Sequence, residues 1–217
     1  TDRQTDRQTD RQTDRQTELI RLLQYVYGYV NVELNNVANY STNRIDAKLL
    51  DENTYVGVDN LLQNRQGKEK SSYVPQNGTC IKFNKENILI GNIRPYLKKN
   101  WYADCDGGTN GDVLVINANK NFIFPKYLYY TLSSDRFFEF DVKNAKGAKM
   151  PRGNKDIIMK YQFSIPSLIK QQAIVDILDK FDTIVNDLSN GLPAEIEARQ
   201  KQYEFYRDKL LNFKRKN

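Results

Sequence analysis

The stretch Ile174-Val175-Asp176-Ile177-Leu178-Asp179-Lys180-Phe181-Asp182-Thr183-Ile184-Val185-Asn186-Asp187-Leu188-Ser189-Asn190-Gly191-Leu192 carries the sharpest periodicity in the chain. Ile174, Leu178, Phe181, Val185, Leu188 and Leu192 recur at alternating spacings of four and three. That is a heptad seam, which keeps one face of a helix turned toward a partner helix. Gly191-Leu192-Pro193 then interrupts it. Glycine suits a helix end and proline the first turn of the next, and Glu195 and Glu197 sit favourably near the new N-terminus. The seam resumes through Ile196, Arg199, Tyr203, Tyr206, Leu210 and Phe213, with Arg199 as its exception. At about 1.5 Å per residue, a helical run from 167 to 213 projects well past the domain before it. A partner helix is therefore expected, rather than a fold-back onto that domain.

Upstream, residues 30–165 read as a mixed domain. Strand-like runs are Val30–Leu34, Thr54–Val58, Thr79–Phe83, Ile88–Ile93, Val113–Ile116 and Ile157–Ile165. Loop signals separate them at Asn77-Gly78, at Gly107-Gly108-Thr109-Asn110-Gly111 and at Pro151-Arg152-Gly153. Pro125 is placed to open a helix running to about Phe140. Strands and helices without a regular alternating rhythm argue an α+β fold.

Residues 1–16 are four perfect copies of Thr-Asp-Arg-Gln, and Thr17-Glu18-Leu19-Ile20 opens like a degenerate fifth. The repeats lack apolar side chains and cannot make a core, so a disordered tail is one reading. The other is a polar helix extending the apolar turn Leu19-Ile20-Leu22-Leu23. Arg3/Asp6, Arg7/Asp10 and Arg11/Asp14 support it, because opposite charges three apart on a helix contribute roughly 0.2–0.5 kcal/mol each. The chain thus divides into a repeat spacer at 1–29, a mixed domain at 30–165 and a helical region at 166–217.

A net charge of +6 favours a polyanionic partner. Three basic clusters are the candidate contacts: Arg65, Lys68 and Lys70; Arg94, Lys98 and Lys99, beside Tyr96 and Trp101; and Lys146, Lys149, Arg152 and Lys155. In the third, Gly147 and Gly153 are expected to let the backbone approach a ligand, while the cations neutralise phosphates. A solvated surface is the plain alternative for each cluster.

Catalysis finds little support. The chain has no histidine, which removes the commonest general base and the usual zinc ligands, so no metal site is expected. Walker and dinucleotide fingerprints are missing. Asp141-Val142-Lys143 has the spacing found in many nucleases, but no upstream acidic ligand accompanies it. Cys80 and Cys105 are expected as free thiols in a cytoplasmic protein. No apolar run approaches membrane-spanning length, so no membrane partner is expected. A first residue of Thr1 points to a trimmed product or a fragment.

Several segments resemble the specificity subunits of type I restriction-modification enzymes. Asn92-Ile93-Arg94-Pro95-Tyr96-Leu97-Lys98-Lys99 and Asp106-Gly107-Gly108-Thr109-Asn110-Gly111-Asp112-Val113 look like the core of that family's target-recognition domain. Lys146-Gly147-Ala148-Lys149-Met150-Pro151-Arg152-Gly153 matches the loop leading into its last strand. Ile165-Pro166 to Gln171-Gln172, Gly191 to Ile196, and Gln202 to Leu211 resemble its helical conserved region. The resemblance covers about residues 30–213.

The resemblance implies a non-catalytic DNA-recognition subunit. A full member has two halves whose spacer helices pair as an antiparallel coiled coil, each half reading one part of a bipartite site in double-stranded DNA. Methyltransferase and restriction subunits dock on it. S-adenosylmethionine, ATP and magnesium belong to those partners, and the recognition subunit holds no cofactor. A chain with one half is expected to form a homodimer or pair with another half, using Ile174, Leu178, Phe181, Val185, Leu188, Ile196, Tyr203, Tyr206 and Leu210. The alternatives are a free-standing dimeric DNA-binding regulator and a nuclease using Asp141 and Lys143.

Overall fold

The computed structural model describes residues 18–183. The chain divides into two units, Thr1–Ala173 and Ile174–Asn217. In the first, helix α1 (18–27) leads through Gly28 into β1 (Tyr29–Glu33), the short helix α2 (Leu34–Val37) and β2 (Ala38–Tyr40). There follow β3 (Arg44–Asp46), β4 (Tyr55–Val56), β5 (Thr79–Phe83) and β6 (Ile88–Gly91). Next come β7 (Asn100–Tyr102), β8 (Gly107–Thr109) and β9 (Val113–Ala118). Helices α3 (Pro125–Leu132), α4 (Asp135–Asn144) and α5 (Lys155–Ile158) precede β10 (Gln162–Pro166). A helical segment, α6, starts at 168 and closes the unit. This is the α+β class read from the sequence.

The strands form two four-stranded sheets and a ribbon. The central sheet has the order β2-β9-β6-β7 and is antiparallel throughout. The second, β3-β5-β8-β4, has one parallel pair, between β4 and β8. Side chains alternate across the central sheet. Ile88, Ile90, Leu114 and Ile116 enter one core with Leu128, Leu132, Phe137 and Phe138 of the helices. Leu89, Val113 and Val115 enter a second core with Val56, Phe83 and Trp101. Burial on both faces is why β6 and β9 read as unbroken apolar runs.

β1 and β10 pair antiparallel from Tyr29↔Pro166 to Glu33↔Gln162, which brings the end of α1 and the start of α6 to one corner. Two side-chain amides fasten that corner. Gln24 donates to the Pro166 carbonyl at 2.9 Å. Gln171, fully buried, donates to the Phe122 and Pro166 carbonyls at 2.9 and 2.8 Å and accepts from the Phe124 N–H at 2.9 Å.

Three expectations need correction. Gly107–Thr109 is a buried strand, not a loop. Any side chain at Gly107 would collide with the Thr54 carbonyl and the Phe83 ring, so glycine is required by close packing. The helix from Pro125 breaks at Ser133-Ser134, where the Ser134 hydroxyl accepts from the Phe137 N–H at 3.3 Å and caps a new helix. Ile157–Ile165 is not one strand, because α5 occupies its start and β10 begins at Gln162.

In the second unit, residues 174–183 are helical, with Ile174 and Phe181 38% and 59% exposed. The rest of the expected seam, from Val185 through Leu188, Ile196, Tyr203 and Tyr206 to Leu210, lies outside the described residues, as do the repeats at 1–16.

Asp141 is the costly residue of the first unit. Only 1% exposed on α4, it lies against Gly153 and Asn92, and neither carboxylate oxygen accepts a hydrogen bond among the described residues. Burial pushes its pKa up to about 6. A carboxyl whose folded pKa is raised favours folding below its unfolded value, and that advantage is lost as pH rises through about 6. The upward shift corresponds to a penalty on the order of 3 kcal/mol once the group is ionised. Asp141→Asn is therefore expected to raise the thermal midpoint at about pH 8 and to give a much smaller gain near pH 4. An equal change at both pH values in a melting experiment would contradict this.

Candidate nucleic-acid interface

The three basic clusters are far apart in sequence, and backbone hydrogen bonds join them into one surface. The centre is the loop after β6, where Pro95–Leu97 form a single 3-10 turn. Arg94 before the turn and Lys98 after it both have left-handed backbone, at φ 52° and 50°. On one side, the Arg65 N–H donates to the Lys98 carbonyl at 3.0 Å. On the other, the Arg94 N–H donates to the Pro151 carbonyl at 2.8 Å, and the Gly153 N–H to the Asn92 carbonyl at 3.0 Å. Lys146 and Arg152 exchange two backbone bonds of 2.8 Å and close the exposed loop between them.

Left-handed backbone is uncommon outside glycine, and its cost of order 1–3 kcal/mol is sustained only where neighbours enforce it. Asn64, Arg65, Arg94 and Lys98 all adopt it on this surface. Four such residues in two touching loops mark the place where the fold spends conformational energy on presenting side chains.

Six of the ten candidate cations already have partners. Arg65 and Lys98 both grip the Asp135 carboxylate, the lysine at 2.7 Å, and Arg65 also lies over the Phe138 ring at 5.8 Å. Lys68 donates to the Asn53 carbonyl at 2.6 Å and sits 5.0 Å from the Trp101 ring centre. Lys70 pairs with Glu52 at 2.8 Å, Lys99 donates to the Val58 carbonyl at 2.8 Å, and Arg152 pairs with Asp112 at 3.1 Å. Among the described residues, Arg94, Lys146, Lys149 and Lys155 have exposed side chains with no such partner.

The sequence could not show the carboxylates that modulate this surface. Lys98 first and then Arg65 hold the exposed Asp135 carboxyl below the usual carboxylate range. That carboxylate bridges the two cations. Exposed pairs of this kind contribute little to stability. Other expectations shift as well. Trp101 is a core residue, packed edge-on against Phe83 at 5.8 Å, while Tyr96 is 51% exposed beside Arg94. Gly153 is buried against Asp141 and Asn92, so only Gly147 offers open backbone in its loop. Asp141 faces inward rather than toward a substrate, which removes the nuclease reading with Lys143. Among the described residues no acidic or thiol cluster is placed to hold a metal, and no helix is long and apolar enough to cross a membrane. Cys80 and Cys105 are free.

An α+β domain with basic loops stitched into one face is suited to holding a polyanion. Residues 27–198 match the type I restriction modification DNA specificity domain, and the chain belongs to that family. It is 38% identical over 104 residues to the type I restriction enzyme EcoR124I/EcoR124II specificity subunit of Escherichia coli, a match covering 48% of this chain and 26% of that protein. The same figures hold for a putative type I restriction enzyme specificity subunit, S.HindORF215P, of Haemophilus influenzae. Among solved structures, the HsdS subunit from Thermoanaerobacter tengcongensis superposes with a TM-score of 0.61 at 20% identity, covering 81% of this chain and 47% of that one. The S subunit from M. genitalium gives 0.53 at 17% identity, over 84% and 45%. These structural likenesses show the fold. The matches thus span about a quarter of the curated relatives and about half of the solved chains.

Replacing Asp135 by Asn should release Arg65 and Lys98 to an incoming polyanion. Binding to non-specific duplex DNA is expected to tighten, and the salt dependence to steepen by up to about 0.9 in log-log slope for each cation freed. Unchanged affinity and slope in a salt titration would show that the pair serves only to clip the two loops to α4.

Proposed function

We propose that this chain is the DNA-recognition module of a type I restriction-modification specificity subunit, binding one half of a bipartite duplex site and catalysing nothing itself. The single observation that carries the reading is the face on which all three basic loops meet, in a chain of this family. Cations there neutralise phosphates and release counterions, while base contacts supply the sequence preference. Methyltransferase and restriction subunits dock on the module and bring S-adenosylmethionine, ATP and magnesium to the assembly.

The helices at the other landmark of the fold set distance in this reading. α1 arrives at, and α6 leaves, the corner made by β1 and β10. In this reading the two helices continue outward from that corner and pair with those of a second copy or another half-subunit. The apolar positions Ile174, Leu178 and Phe181 begin that interface. The Thr-Asp-Arg-Gln copies precede α1 in sequence, so as continuous helix each adds about 6 Å of length. At about 3.4 Å per base pair, one copy corresponds to one or two base pairs between half-sites. Copy number then acts as a ruler.

The test is substitution of Lys149, Arg152 and Lys155 together by Ala. Duplex binding should weaken, and the log-log salt slope should fall by about 0.9 for each phosphate that is no longer neutralised. If the triple variant binds and discriminates as the parent does, this loop is structural and the reading of the face fails.

A further inference from the structure

The basic face is not uniform, and among its candidate cations in the described residues one guanidinium is unpaired. Among the candidate cations without a partner, Arg94 is the arginine, and Lys146, Lys149 and Lys155 are lysines. The distinction is chemical. A lysine ammonium is a point charge on a flexible stem, well suited to a phosphate. A guanidinium presents a planar fork that matches the O6 and N7 acceptors of guanine in the major groove.

The backbone that carries Arg94 is fixed on both sides, and among the four unpaired candidate cations it alone is left-handed. Its φ and ψ of 52° and 64° are left-handed. Its N–H donates to Pro151 at 2.8 Å and its carbonyl accepts from the Leu97 N–H at 2.9 Å, so both main-chain groups are engaged. Ile93 before it bridges to Arg152, and Pro95 after it is buried with φ fixed by its ring. Lys146 has both main-chain groups engaged as well, in ordinary backbone at the base of its loop, whereas Gly147 to Met150, Lys149 among them, form an exposed loop closed only at that base. Discrimination between bases needs a donor held in place before binding, because ordering it afterwards subtracts from the gain. Strain concentrated at an exposed, unpaired arginine is the arrangement expected of a reader, whereas a phosphate contact does not need it.

We infer that Arg94 is a base-reading residue, taking a guanine edge in the major groove while the surrounding lysines hold the phosphates. The inference rests on the DNA-recognition reading above. It also assigns the neighbouring pairs a role: Asp135 and Asp112 neutralise Arg65, Lys98 and Arg152, and leave the Arg94 fork unpaired.

Arg94→Lys is the decisive variant, since it keeps the charge and removes the fork. Lys98 already occupies left-handed backbone four residues on, so lysine is compatible with the site. The full chain and the variant would each be used to select from a duplex library with randomised base pairs, with a salt titration on the selected sequence. The expected result is loss of roughly 5- to 150-fold discrimination at one base pair, the other positions and the salt slope being unchanged. Lys149→Ala, as the comparator, should lower affinity alike for all sequences and reduce the slope by about 0.9. If Arg94→Lys keeps the parent's preference at every position, or weakens all sequences equally, Arg94 is a phosphate contact and the inference is overturned. If the parent chain selects no sequence, the proposed function fails and this inference with it. Should thermal melting show that Arg94→Lys is unfolded, Arg94→Asn, which left-handed backbone tolerates, takes the same test, and retention of the preference there overturns the inference equally.

Discussion

Five residues of β1 lie against five of β10, and the use of this domain depends on that pairing. It ties the entrance and the exit of the recognition domain together, so that the helix coming in and the helix going out share one corner. The fully buried Gln171 side chain uses its two N–H donors and its oxygen on Phe122, Pro166 and Phe124. A buried amide satisfied in this way is rigid, and removing it leaves the Phe122 carbonyl and the Phe124 N–H without partners at a cost of about 1–3 kcal/mol each, while Gln24 still serves the Pro166 carbonyl. In the proposed reading the domain is held at a set distance from a second one, which needs a junction that does not bend. The ribbon and its glutamine provide it.

Away from that corner the molecule separates support from contact. Two sheets enclose a core, the helices cover the outer side, and the loops between β6 and β7 and between α4 and α5 meet on the surface. Most of the cations there are held by carboxylates or carbonyls. Such exposed contacts are individually weak, so their value lies in orienting long side chains. The buried Asp141 beneath these loops costs stability at neutral pH, and no contact within the described residues offsets its charge.

How much of this was legible in the sequence depended on the kind of constraint. Thr79–Phe83 is a strand with the bounds read from it, and Val113–Ile116 falls inside β9, because β-branched runs mark these strands. β8 was hidden because Gly107 answers to a distant carbonyl and ring and Gly108 to the Leu50 and Ile45 side chains, while the same residues read locally as a turn. The break at Ser133-Ser134 has a local signal, a serine cap before Asp135, which the continuing hydrophobic pattern obscured. All ten basic candidates were visible by residue type. That the loops bearing them touch was not, because it rests on backbone bonds between positions such as 65 and 98, or 94 and 151. Asp135 gave no local hint of its place between two cations.

In this account one domain reads bases while the helices flanking it measure the distance between readings. That central claim is tested most directly by making the chain with two, three, four and five copies of Thr-Asp-Arg-Gln, co-expressing each with its methyltransferase subunit, and sequencing the methylated genome. Each added copy is predicted to lengthen the unread spacer by one or two base pairs and to leave the bases read unchanged. A spacer that stays the same across the series would contradict it.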